Sequence, residues 1–175
     1  SGCNQGANLG AYVLGRSGTV SAAIEAAFFG VPAIAVSQYV AAREDVTWDD
    51  PGLDEEAYAE AADATRYLVE QALEAHVFAR CDLLNVNVPD VETEVRGIRV
   101  TEPSRVYDMD ATHENGIVRL NDRIWQRMAA GDVPDPEGTD RRAVVEGHVS
   151  VSPLAAPHTT NHHEVLEGIT ADYEP

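Results

Sequence analysis

The chain has 175 residues, of which 44% are hydrophobic, enough for one domain with a buried core. Its formal net charge is −18, all 12 basic residues are arginine and lysine is absent. That charge excludes a nucleic-acid polymer or an anionic membrane surface as a natural partner, and the apolar content excludes a disordered acidic tail.

Residues 1–16 are rich in Gly and Asn and read as loop. Ser17 to Phe29 reads as a short buried helix that Ser17 or Thr19 can cap and Gly30 can end. The apolar run at 31–38 has strand length, and residues 44–56 are acidic and turn-rich. From Asp54 to Phe78, apolar residues recur at steps of three and four, the pattern of a long amphipathic helix. The run at 81–89, ended by Pro89, reads as a second buried strand, and this alternation predicts a parallel α/β sheet. After residue 90 the rhythm changes. The segments "EVRGIRVTEP" and "SRVYDMD" read as two β-arms, and "GIVRLNDRIWQRM" as a third strand or a short helix. Helical turns near Asp140, the strand "HVSVSPL" and a short terminal helix in "TTNHHEVLEGI" complete the chain.

Acid-rich, lysine-free composition resembles that of proteins from salt-accumulating halophiles, so the charge reads as an adaptation to solvent. Two cysteines, Cys3 and Cys81, form no disulfide framework and fit a reduced, cytoplasmic context. No apolar run is long enough for a membrane span, and no signal peptide is visible. The chain opens on "SGCNQGANLG", without Met and without a strand. Loops of this kind normally hang off a strand end, so the expectation is that an N-terminal part is missing.

The stretch from Gly10 to Thr19 comes close to two motifs. It is one letter from a phosphate-binding P-loop, with Arg16 where Lys belongs, and one letter from a nucleophile elbow around Ser17. Neither has the apolar strand that must precede it, and Arg is a planar fork where the P-loop uses a compact ammonium. A third reading needs no Lys: Ser17, Gly18 and Thr19 at a helix start form an anion cradle, unless Ser17 is simply an N-cap. His158 and His162, four residues apart, have no Cys partner nearby and read as structural or solvated rather than as zinc ligands. Alternation along the second strand buries at least one of Asn85 and Asn87, whose amide should then bond to backbone.

Taken together, four spaced motifs resemble the SurE family of stationary-phase survival proteins, metal-dependent 5'/3'-nucleotidases. They are S-G-x-N-x-G-x-N-x-G on Ser1 to Gly10, S-G-T-V-x-A-A on Ser17 to Ala23, N-V-N-V-P on Asn85 to Pro89, and Gly147 with Ser150 to Leu154. The resemblance implies a Rossmann-like parallel sheet with flanking helices, here without its N-terminal strands. Residues 1–92 would belong to the nucleotidase core, and 93–175 would form a β-arm, a returning strand and a terminal helix for oligomerisation as a homodimer or homotetramer. It implies a nucleoside monophosphate substrate, Asn4 as a ligand of Mg²⁺ or Mn²⁺, and Asn8, Ser17, Gly18 and Thr19 as the phosphate cradle. The family's Asp-Asp pair and a further metal-site Ser would lie before Ser1, so the chain on its own is expected to lack a competent metal site and phosphatase activity. Arg16 stands where many members carry an aromatic. Two rival readings are a non-catalytic oligomerisation or binding module and a serine esterase using Ser17.

Overall fold

A computed structural model describes residues 1–41 and 54–156. The predicted terminal helix, with His158, His162 and His163, and most of the acidic segment at 44–56 lie outside the described residues.

Five strands form the central sheet. They are β1 (Asn4–Gln5), β2 (Ala33–Gln38), β3 (Leu83–Val88), β7 (Val149–Leu154) and β4 (Ile98–Val100), in that spatial order. Strands β1, β2 and β3 run parallel. Strand β7 then pairs antiparallel with β3, and β4 parallel with β7. The sheet is therefore mixed rather than wholly parallel, because the chain returns to it after a long excursion through residues 101–148.

Alternation along β2 and β3 sorts their side chains between two cores. Ala33, Ala35 and Leu83 meet Val20 and Ala23 of helix α2 (Gly18–Phe28). Val36, Leu84, Val86 and Val88 meet Ala61, Ala64 and Ala72 of helix α3 (Ala59–Glu74). Ser37, Asn85 and Asn87 therefore fall on the α2 face, toward the carboxyl ends of β2 and β3. Each is fully buried.

Helix α2 begins where the sequence places it. Ser17 is extended, and its Oγ accepts the Val20 N–H at 3.0 Å. The long helix read at 54–78 is divided. A 3-10 turn covers Glu55–Tyr58, α3 follows, and His76 enters the left-handed region at φ 52° before a second 3-10 turn at Val77–Ala79. The opening loop also carries more structure than expected: β1 adds two residues to the sheet edge, and Ala11–Leu14 forms the short helix α1.

One arm assignment is corrected. Residues 98–100 of "EVRGIRVTEP" do not extend from the core but pair with Val149–Val151 in the central sheet. Just beyond them, the Thr101 hydroxyl bonds to Ser150 and Ser152 of β7. The projecting arm is the hairpin of β5 (Met109–Glu114) and β6 (Ile117–Asp122). Its turn is Asn115-Gly116, both at positive φ, as a two-residue hairpin turn requires. The segment "GIVRLNDRIWQRM" holds both a strand, β6, and a helix, α4 (Ile124–Ala129). Helix α5 (Asp140–Val145) precedes β7. Among the described residues no helix is long and apolar enough to cross a membrane.

Candidate functional site

The loop of residues 4–10 crosses the carboxyl ends of β2 and β3, the position where open α/β sheets bind ligands. Three predicted site residues, Asn4, Asn8 and Thr19, converge there with Ser37. Asn4 Oδ1 accepts from the Ser37 hydroxyl at 2.8 Å, the Thr19 hydroxyl at 3.0 Å and the Asn8 amide at 3.4 Å. Asn8 Nδ2 also donates to Ser37 Oγ at 2.5 Å. Asn4 Nδ2 donates to the Gly6 carbonyl at 2.7 Å, which orients the amide and leaves Oδ1 as the shared acceptor. Ser17 and Gly18 stand beside this cluster at the start of α2, and the Ser17 Oγ accepts the Val20 N–H as a cap, a bond that does not use its O–H.

Both strand asparagines reach the same loop. Asn87 Oδ1 accepts the Asn8 N–H at 2.7 Å, and its Nδ2 donates to the Asn8 carbonyl at 3.2 Å. Asn85 Nδ2 donates to that carbonyl at 2.9 Å. Two residues further on, the Gly10 N–H donates to Asp140 Oδ2 at 2.7 Å. Asp140 Oδ1 accepts from the Ser104 and Arg141 N–H groups. Burial pushes the Asp140 carboxyl above the usual carboxylate range, while the bonds from Gly10, Ser104 and Arg141 pull it back down. Gly10 sits at φ +81°, a conformation that favours glycine, and a Cβ there would meet Arg141 Cζ at an ordinary contact distance of 3.4 Å. Arg16 lies over the Tyr12 ring at 4.1 Å, and Tyr12 meets Tyr107 edge-on. No sequence motif marks Ser37; its signal is a Ser-Gln pair ending an otherwise apolar strand.

Asn4, Thr19 and Ser37 supply hard neutral oxygens but no negative charge. Among the described residues no group of three or more His, Cys, Asp or Glu side chains is placed to hold a metal ion. Divalent Mg²⁺ or Mn²⁺ is normally held with carboxylate help, so these donors alone do not fit such an ion. For the esterase reading, no histidine is hydrogen-bonded to Ser17 among the described residues.

These features define a Rossmann-like α/β protein with a polar site above the carboxyl ends of its strands. The family model described as "Survival protein SurE" matches residues 1–109. The chain is 60% identical over 175 residues to the "5'-nucleotidase SurE" of Haloarcula marismortui, covering 100% of this chain and 65% of that protein. It is 56% identical to the protein of the same name from Haloquadratum walsbyi, covering 99% of this chain and 66% of the relative. The crystal structure of the SurE protein from Aquifex aeolicus superposes with a TM-score of 0.69 at 30% identity, over 98% of this chain and 63% of that one. The chain belongs to the SurE family.

Proposed function

We propose that this chain carries the phosphate-binding part of a phosphatase acting on nucleoside 5'- or 3'-monophosphates. The observation that carries the reading is the convergence of Asn4, Asn8, Thr19 and Ser37 beside the start of α2, in a chain whose relatives are named 5'-nucleotidases. In this reading the N–H groups of Gly18 and Thr19 donate to the substrate phosphate, and the Asn8 amide joins them by exchanging its long 3.4 Å bond to Asn4 Oδ1 for one to the phosphate. Donors fixed before substrate arrives stabilise charge that builds on phosphoryl oxygens without reorganising. The α2 dipole adds a partial positive charge in the same place. Asn4 offers one neutral oxygen to a Mg²⁺ or Mn²⁺ ion, and the negative ligands such an ion needs must come from outside the described side chains.

The test is a pair of measurements on the purified chain in molar KCl. Titration with inorganic phosphate should shift the Asn8 side-chain, Gly18 and Thr19 amide resonances, and Asn4→Ala should disturb the same set. Release of phosphate from adenosine 5'-monophosphate with added Mg²⁺ or Mn²⁺ should be absent. No amide response to phosphate would overturn the site, and robust metal-dependent hydrolysis would overturn the inactivity of this chain.

A second role is favoured by the β5–β6 hairpin, whose Ile117, Val118 and Leu120 are exposed. Such an apolar projecting edge suits assembly into a homodimer or homotetramer. A monodisperse monomer by light scattering at high salt would refute it.

A further inference from the structure

We infer that Asn87 and Asp140 are positioning residues that clamp the Asn8–Gly10 segment and thereby set the aim of the Asn8 amide. The inference rests on the phosphate-site reading above for its functional consequence, and on geometry alone for the clamp itself.

Asn8 and Gly10 flank Leu9, which is wholly buried. On one side Asn87 treats the Asn8 peptide as a neighbouring strand would, accepting its N–H and donating to its carbonyl. Asn85 adds a second donor to the same carbonyl. On the other side Asp140 takes the Gly10 N–H, while the Ser104 carbonyl takes the Ala11 N–H at 2.8 Å. Asp140 is fully buried, and its three backbone donors come from three separate segments: Gly10, Ser104 and its own neighbour Arg141. Arg141 braces the junction from Ser104 Oγ to Asp135.

Geometry gives the clamp its purpose. With its backbone held at N–H and C=O, the part of Asn8 left to meet a ligand is its side chain, whose Nδ2 is aimed at Ser37 Oγ and Asn4 Oδ1. In a loop this rich in glycine, the local bonds of Asn4 to Asn8 and Gly6 leave the backbone wide freedom that distant partners must remove. Neither Asn87 nor Asp140 touches the proposed phosphate position; each acts through the backbone of the loop.

The test uses the isotopically labelled chain in molar KCl, with the variants Asp140→Asn and Asn87→Asp. Each is close to isosteric and removes acceptor or donor capacity at one side of the clamp. In the wild type, the Asn8 and Gly10 amides should exchange with solvent far more slowly than the unbonded amides of exposed loops. Fast exchange at both would overturn the clamp, and this measurement stands even if a variant fails to fold. In the folded variants, inorganic phosphate should bind about fivefold or more weakly. Amide shifts should change at residues 4–10 and at the start of α2 and stay fixed in the β5–β6 hairpin, a pattern that a general loss of stability would not give. Variants that bind phosphate as tightly as wild type would overturn the positioning role. If the wild type binds no phosphate, the site reading fails separately. The clamp is then judged by exchange at Asn8 and Gly10, which should speed up by about tenfold or more in the variants and would refute it by staying unchanged.

Discussion

The ion pair between Arg141 and Asp135 invites a quantitative test. Arg141 Nε donates to Asp135 Oδ1 at 2.7 Å, and the side chains are 5% and 0% exposed. The guanidinium also donates to Ser104 Oγ and the Val106 carbonyl, and it lies against Gly10. Arg141→Met keeps most of the volume but leaves the Asp135 carboxylate buried without its cation, a change that typically costs about 3–5 kcal/mol. In a chain of 175 residues, each kcal/mol moves the melting midpoint by about 2–4 °C, so the midpoint should fall by about 6–20 °C. The double variant Asp135→Leu/Arg141→Met removes the orphaned charge along with its partner. It should recover part of that loss despite leaving Ser104 and Val106 without the guanidinium. Urea melts in molar KCl read all three proteins, because urea leaves ionic screening unchanged. At such salt the Debye length is about 3 Å, which suppresses exposed pairs far more than buried ones. A loss below about 1 kcal/mol for Arg141→Met, or a double variant no more stable than the single one, would refute the reasoning.

Two further outcomes follow from single contacts. Ser17→Ala removes the α2 cap and should cost about 1 kcal/mol, while a fluorophosphonate probe should leave wild-type Ser17 unlabelled; labelling would revive the esterase reading. At the base of the β5–β6 arm, the hydrogen bond from Arg123 is the main force holding Asp108 below its ordinary value of 3.8, and Arg127 adds to it. A depressed carboxylate stabilises the fold above its ordinary pKa, and that contribution is lost as pH falls through the lowered value. Protection factors in β5 and β6, taken relative to the intrinsic exchange rate at each pH, should therefore fall as pH drops below the ordinary carboxylate range, and Arg123→Gln should weaken that dependence, with Arg127 keeping part of it; an unchanged pH profile in the variant would refute it.

The sequence made the central elements legible because each is encoded locally. Strands β2 and β3 are mostly apolar segments of strand length, β2 preceded by Pro32 and β3 followed by Pro89, and α2 has its cap at Ser17. The alternation around Val86 predicted that at least one strand asparagine would bond to backbone, and both do. What stayed hidden depends on partners far along the chain. Strand β1 is two residues long and exists only because β2 offers an edge. Strand β4 is exposed along its length, so its burial pattern could not mark it as part of the sheet. The Asn115-Gly116 turn is a local signal for the hairpin, but the segment after it fits strand or helix by its pattern, and it contains both. Asp140 marked a helix start, yet its bond to Gly10 spans 130 positions and leaves no trace in either local pattern.

That separation says where the order of the site comes from. The loop from Ser1 to Gly10 contains three glycines, Gly2, Gly6 and Gly10, and each widens the unfolded ensemble that folding must narrow. Local hydrogen bonds do little to narrow it. Apart from the 3.4 Å bond to Asn4, four positions away, the restraints on Asn8 come from Ser37, Asn85 and Asn87, at separations of 29, 77 and 79 positions, and Gly10 is held by Asp140. The aim of the Asn8 amide is thus a property of the assembled sheet rather than of the motif that contains it. Strand β7 lies between β3 and β4, and α5 leads into it, so the segment that returns after the β-arm is also the one that closes the far end of the loop. A polar cluster at the strand ends, held from residues on both sides of that excursion, forms only when the whole sheet has formed.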